Sequence, residues 1–248
     1  MKIIISPAKK MQVQNDWMVH KQLPVFLDKT EILMNLLKEK TPEELQKLWM
    51  CNDRIAQVNL KRLKSMDLRQ QLTPALLAYD GIQYTYMAPK IFTDSQWDYV
   101  NSHLYILSGF YGILGPLDGV VPYRLEMQAR LKTESFKNLY EFWKDEPYKK
   151  LVLTDDLILN LASKEYSKLV EKYLDPETAF VTCIFGEWVE GKVKVKGTLA
   201  KMARGEMVRY LSLNRIETLD GIKGFSGLGF KYYKALSDEK NFVFLRNS

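Results

Sequence analysis

Leu104 to Met127 reads LYILSGFYGILGPLDGVVPYRLEM. Its apolar start predicts a buried strand over residues 104–107. Gly109, Gly112 and Gly115, with Pro116 and Pro122, then interrupt the chain. Apolar residues at this density would otherwise continue a strand or start a helix, and glycine and proline prevent both. The breaks carry Tyr111, Asp118, Tyr123, Arg124 and Glu126. Two readings fit. One is a site-forming loop at the end of a central strand. The other is a tight connection that Asp118 and Arg124 hold together by hydrogen bonds.

Working outward, residues 2–5 form a β-branched run that predicts a second buried strand. Pro7 ends it, which sets Ser6, Lys9 and Lys10 at a strand's C-terminal end, where α/β sheets bind ligands. Residues 28–40 carry an apolar face of Ile32, Leu33, Leu36 and Leu37 and predict a helix. Thr41, Pro42 and Glu44 match an N-cap, a first helical position and a capping-box glutamate. A polar break at Cys51-Asn52-Asp53 leads to a further helix bearing Arg54, Lys61, Arg62 and Lys64. This pair reads as a phosphate-gripping hairpin or as an ordinary αα-hairpin with a solvated basic face.

Helices are predicted to open at Thr73-Pro74 and at Thr93, and an amphipathic one over residues 134–143. Residues 151–174 fit one long helix, or a strand over 157–161 with Ser163 capping a helix to residue 174. Strands are expected over 179–188 and 192–196, joined by a Glu190-Gly191 turn. A helix over 198–214 spreads Lys201, Arg204 and Arg209 along its surface. A last pair of strands covers residues 231–235 and 242–245. There is no repeat and no low-complexity linker, so one domain over residues 1–248 is expected.

A net charge of +6 makes an anionic partner attractive: nucleic acid, nucleotide or phosphorylated metabolite. Two cysteines and two histidines, without ligand spacing, argue against a nitrogen-and-sulfur metal site, and no metal or cofactor is expected. No apolar run reaches the ~18 residues of a membrane helix, and the N-terminus is too short for a secretory signal. A cytoplasmic location is expected.

SPAK at 6–9, LSGFYGILGPLD at 107–118, PYRLEM at 122–127, NLASKEY at 160–166 and AKMARGEMVR at 200–209 together resemble the YaaA family of peroxide-stress proteins. The resemblance runs from Lys2 to Arg246. It implies a mixed α/β fold of unusual topology, with a central mixed sheet flanked by helices. It favours the strand over residues 157–161. It also implies a cytosolic protein made under peroxide stress, limiting unincorporated iron and oxidative DNA damage. It implies binding to duplex or distorted DNA through a basic cleft and a helix-hairpin-helix element, matched here by residues 41–64. Carried over by position, the cleft residues are Ser6, Lys9, Tyr111, Asp118, Tyr123, Arg124, Glu126, Asn160, Ser163, Lys201, Arg204 and Arg209. The sequence departs from the family pattern at Gly115, where an arginine is expected, at Ile82 and Tyr86, and in a hairpin without glycine.

Three functions follow for testing. The first is a DNA-binding stress protein using those cations with Arg54, Lys61 and Arg62. The second is an enzyme on a small anionic or nucleotide-like substrate, with Lys9, Asp118, Tyr123 and Glu126 as catalytic candidates. The third is a structural protein whose polar cluster only holds the fold.

Overall fold

The computed structural model describes residues 1–14 and 18–246. Its organising strand is β1 (Lys2–Ile5). Successive strand residues point to opposite faces, yet Ile3, Ile4 and Ile5 are all fully buried. The sheet is therefore covered on both sides, and these β-branched residues are placed where burial of each contributes about 1.5–3 kcal/mol.

β1 pairs in parallel with β2 (Leu104–Ser108). β2 turns through Gly112, at φ 73°, into antiparallel β3 (Gly112–Leu114). On its other side β1 pairs in parallel with β4 (Leu157–Leu161), and β4 with β5 (Ala179–Val189). A tight turn at Glu190 and Gly191, both at positive φ, sends β5 into antiparallel β6 (Lys192–Lys194). β7 (Phe230–Tyr232) runs antiparallel to β8 (Asn241–Arg246), which lies parallel to β5. The order is β7-β8-β5-β4-β1-β2-β3, with β6 beside β5. This is a mixed α/β fold with five inner parallel strands and antiparallel edges.

The chain leaves β1 toward β2 on one side and reaches β4 on the other. That makes β1 a topological switch point, and the crevice above its C-terminal end is where such sheets take ligands. Ile5 pairs with Leu161, so Ser6 and Ser163 emerge side by side.

The helices that matter for the cleft are α1 (Leu27–Lys38), α2 (Pro42–Trp49), α3 (Asp53–Lys64), α4 (Ile82–Met87), α5 (Asp94–His103), α6 (Lys164–Glu171) and α7 (Gly197–Leu213). Thr41 with Glu44, and Thr93 with Gln96, close reciprocal capping boxes on α2 and α5. Asn52 caps α3 by accepting from the Ile55 N–H. The hairpin's reversal falls on Met50, at φ 45°, in the region glycine usually fills.

Some expected elements came out shorter. Residues 134–138 are not helical: the Asn138 side chain accepts from the Glu141 N–H at 3.0 Å and starts the helix at Leu139. Thr73–Pro74 pairs with Gly119–Val120, and only Ala75–Ala78 is helical after it. The stretch after β2 is a tight hairpin before it is a loop. Gly112 is required there because a Cβ would stand 2.8 Å from the Trp143 ring. Gly109 is required because a Cβ would stand 2.5 Å from the Leu125 carbonyl oxygen. That close approach lays Pro122–Met127 against the end of β2.

Candidate functional site

Above β1 lies a cleft of about 370 Å³. Five separated segments build it. The chain after β1 supplies Ser6 to Lys10, the α4 entrance supplies Asp80 to Tyr84, the segment after β3 supplies Tyr123 to Glu126, and α6 with α7 supply Ser163, Glu165, Tyr166, Lys201 and Arg204. The volume falls within the range of small-ligand sites.

The floor is hydrogen-bonded and aromatic. The Ser6 hydroxyl accepts from the Ser163 N–H at 2.8 Å and lies 3.2 Å from the Ser163 hydroxyl. Ser163 thus stands at the cap position of α6 but bonds across the sheet instead of capping. The Tyr84 hydroxyl donates to the Ser6 carbonyl at 3.0 Å. Ser108 Oγ accepts from the Phe110 and Tyr111 N–H groups, which uses both its lone pairs. Its proton therefore goes to the Tyr123 hydroxyl, 2.6 Å away, which in turn lies 2.8 Å from Tyr79. Burial pushes the Tyr123 phenol up to about 12, so it is neutral at physiological pH.

The walls carry five cations, Lys9, Lys10, Arg124, Lys201 and Arg204, against the carboxylates Asp80, Glu126 and Glu165. Lys10 pairs with Asp80 at 2.5 Å. Glu126 is held by Lys9 at 2.7 Å and Arg124 at 3.2 Å. Arg124 also donates to the Trp49 carbonyl at 3.4 Å, which fixes the end of α2 at the rim. Glu165 accepts from the Gln128 N–H, and burial holds its carboxyl above the usual range.

Arg204 is different. It is half-buried, and among the described residues no carboxylate lies within ion-pair distance. Its Nε–H is shielded from solvent and donates to no protein acceptor. Burial lowers its proton affinity, so the fold carries a desolvated, uncompensated cation.

The cleft thus gathers Ser6, Lys9, Tyr123, Arg124, Glu126, Ser163, Lys201 and Arg204 from the residues singled out in the sequence. Others lie elsewhere. Tyr111 is buried and accepts from the Val121 N–H. Asn160 joins Thr182 at 3.1 Å and accepts from the Ala162 N–H at 2.9 Å, so it shapes the turn after β4. Arg209 is further along α7 and does not line the cleft. Arg54 and Lys61 are exposed on α3, whereas Arg62 donates to the Met11 carbonyl at 3.1 Å. Gln83, Tyr84, Glu165 and Tyr166 line the cleft without having been chosen. The polar, aromatic run Asp80–Tyr86 was the signal for the first two.

Asp118 faces a separate cavity of about 170 Å³ with Gln22, Asn101 and Lys150. Its carboxylate accepts from Gln22 Nε2 at 2.6 Å and from the Gly115 N–H at 2.8 Å. It therefore holds the Gly115–Asp118 turn together. Burial raises its pKa to about 6, from the ordinary 3.8. A raised carboxyl binds its proton more tightly when folded, so its stabilising contribution is present at low pH and lost as pH rises through about 6. The stability of wild type minus that of Asp118→Asn should fall between about pH 4 and 6, by on the order of 3 kcal/mol. Denaturant unfolding across that range measures it. A constant difference would mean that Asp118 is not held protonated by burial.

Among the described residues, no three His, Cys, Asp or Glu side chains come together in a way that could hold a metal. No helix among them is long and apolar enough to cross a membrane.

Residues 1–236 match the family described as Peroxide stress protein YaaA. Similar relatives named UPF0246 protein include one from Desulfitobacterium hafniense, 54% identical over 99% of this chain and 98% of its own. Another, from Agathobacter rectalis, is 53% identical over 99% of both chains. A third, from Pediococcus pentosaceus, is 49% identical over 100% of this chain and 98% of its own. With identity of this degree over both full lengths and a family match over nearly all of it, the chain belongs to the YaaA peroxide stress protein family.

Proposed function

We propose that this is a cytoplasmic peroxide-stress protein that binds DNA through the cleft and so limits iron-dependent oxidative damage to it. The observation that carries the reading is Arg204. A half-buried guanidinium without a carboxylate is costly in the free protein, and a phosphate group compensates it with charge-assisted, fork-shaped hydrogen bonds. Lys201, three residues earlier on α7, adds an exposed cation at the same rim. The α2–α3 hairpin adds Arg54 and Lys61 as a helix-hairpin-helix-like grip. Arg62 serves the Met11 carbonyl instead, so it is left out of the test.

Phosphate contacts predict affinity that falls steeply with salt and varies little with sequence. Lys201→Glu should weaken duplex binding about tenfold or more and flatten the plot of log affinity against log salt by about 0.9 per lost contact. Arg54→Glu with Lys61→Glu tests the hairpin separately. Fluorescence anisotropy at several salt concentrations reads both. Unchanged affinity and slope in Lys201→Glu would remove the cleft from DNA binding, and the same result in the double variant would remove the hairpin.

A second reading, an enzyme on a small anionic or nucleotide-like substrate, is favoured by one pairing. Glu126 sits between two cations, while Glu165 nearby is pushed up by burial. Two carboxylates in contrasting environments suit acid–base work. A thermal-shift screen of nucleotides and phosphometabolites, with Lys9→Ala as control, tests it. No ligand-specific stabilisation of wild type would count against it.

A further inference from the structure

Gln83 sharpens the chemistry of the cleft. It is 6% exposed and lines the cleft, and its Nε2 donates to no protein acceptor. Buried donors are normally satisfied, and one left over points to a missing acceptor. Arg204 Nε, on the neighbouring helix, is in the same condition. Gly205 explains why the two lie close. A Cβ at that position would stand 2.0 Å from the Gln83 carbonyl oxygen and 2.9 Å from the Met87 backbone nitrogen. Helices α4 and α7 therefore touch backbone to backbone, with Gln83 and Arg204 at the contact. Of the other cleft cations, Lys10 pairs with Asp80, and Lys9 and Arg124 pair with Glu126, although Arg124 Nε is likewise left without an acceptor.

We infer that this helix crossing is an oxyanion subsite whose ligand is a phosphate monoester, the terminal phosphate of a nucleotide or of a phosphorylated DNA strand end. The inference rests on the reading of the cleft as a phosphate-binding site. Three donor-bearing side chains line the cleft at or beside the crossing: Arg204, Gln83 and, at the rim, Lys201. A monoester presents three peripheral oxygens to match them. A diester has two, and its chain must leave in both directions. Arg204 Nε and Gln83 Nε2 are both shielded from solvent in the free protein, so both side chains must turn toward the cleft to meet a ligand, and the small terminal phosphate of a chain end can follow them there.

The test compares duplex DNA ending in 5′-phosphate or 5′-hydroxyl, and a deoxynucleoside monophosphate against its nucleoside, on wild type, Gln83→Leu and Gln83→Glu. Wild type should prefer each phosphorylated probe. Gln83→Leu should weaken phosphorylated probes about tenfold and hydroxyl-ended duplex by much less. Gln83→Glu keeps the side-chain volume and sets a carboxylate beside Arg204. It should abolish the preference for phosphorylated probes while raising the melting temperature, a combination that a packing role would not produce. Tighter binding of the mononucleotide assigns the subsite to free nucleotides, and tighter binding of the phosphorylated end assigns it to DNA termini. Equal affinity of wild type for phosphorylated and hydroxyl probes would overturn the inference, as would equal weakening of both by Gln83→Leu. If duplex binding still depends on Lys201 in that case, the cleft reading stands without the subsite. If it does not, both fall.

Discussion

Replacing Arg204 by methionine should stabilise the protein and strongly weaken its binding of phosphate-bearing ligands. The two effects have one cause. Arg204 keeps a desolvated charge and an unsatisfied Nε–H at the cleft. Methionine retains the aliphatic stem that packs along α7 and removes both polar costs. Removing an unsatisfied buried donor is worth about 1–3 kcal/mol. In a chain of this size, each kcal/mol moves the melting temperature by about 2–4 °C. Ligand affinity should meanwhile fall about a hundredfold, as expected for loss of a buried charge-assisted fork. Calorimetry and anisotropy on the same preparation read the two together. A variant that loses stability along with binding would mean that Arg204 is a structural residue, and the cleft would lose its main support.

Gly205→Ala should give the largest loss of stability of any single methyl addition proposed for this chain. Alanine favours a helix over glycine by about 1 kcal/mol, so on an open helix face the change would help. Here the added Cβ would meet the Gln83 carbonyl at 2.0 Å, and the obstacle is backbone. A flexible side chain could swing aside; the first turn of α4 cannot. Overpacking costs of about 1–3 kcal/mol are usual, and a rigid neighbour puts this site at the upper end or beyond it, which exceeds the helix gain. The melting temperature should fall by about 5 °C or more. The companion change Gly197→Ala, at the open start of the same helix with nothing within 4 Å, should leave stability unchanged or slightly higher. Equal effects at the two glycines would show that α4 and α7 do not cross as closely as described. Because α4 carries Gln83 and Tyr84 into the cleft, Gly205→Ala should also impair ligand binding in the fraction that stays folded.

Several parts of this architecture were legible in local patterns. The isoleucines of β1 read as a strand buried on both faces because three successive β-branched residues leave no solvent side. Thr41-Pro42-Glu44 and Thr93 marked helix starts because capping chemistry spans only a few residues. Glu190-Gly191 marked a hairpin because its backbone signs are local. Residues 134–138 misled the reading: the spacing of Phe136 with Leu139, Tyr140 and Trp143 suits a helix, but the Asn138 cap starts the helix later. Asp118 had two readings, a group for chemistry and a group that holds the loop together; its hydrogen bonds to Gln22, ninety-six positions away, and to Gly115 supply the second.

For the stretch Leu104–Met127, composition alone determined that a buried strand must end in a broken backbone bearing Tyr123, Arg124 and Glu126. It also determined the surplus of cations and the conformational demands that Gly112 answers. Tertiary structure decided which of those groups meet. Ser6 and Ser163 share a hydrogen bond only because β1 and β4 end in register. Arg124 finds a carboxylate and Arg204 finds none, although both are arginines in polar surroundings. The difference arises because pairing, burial and helix crossing depend on residues far apart in the chain. Local sequence can place a charge on a helix, but only packing determines whether that charge remains without a partner.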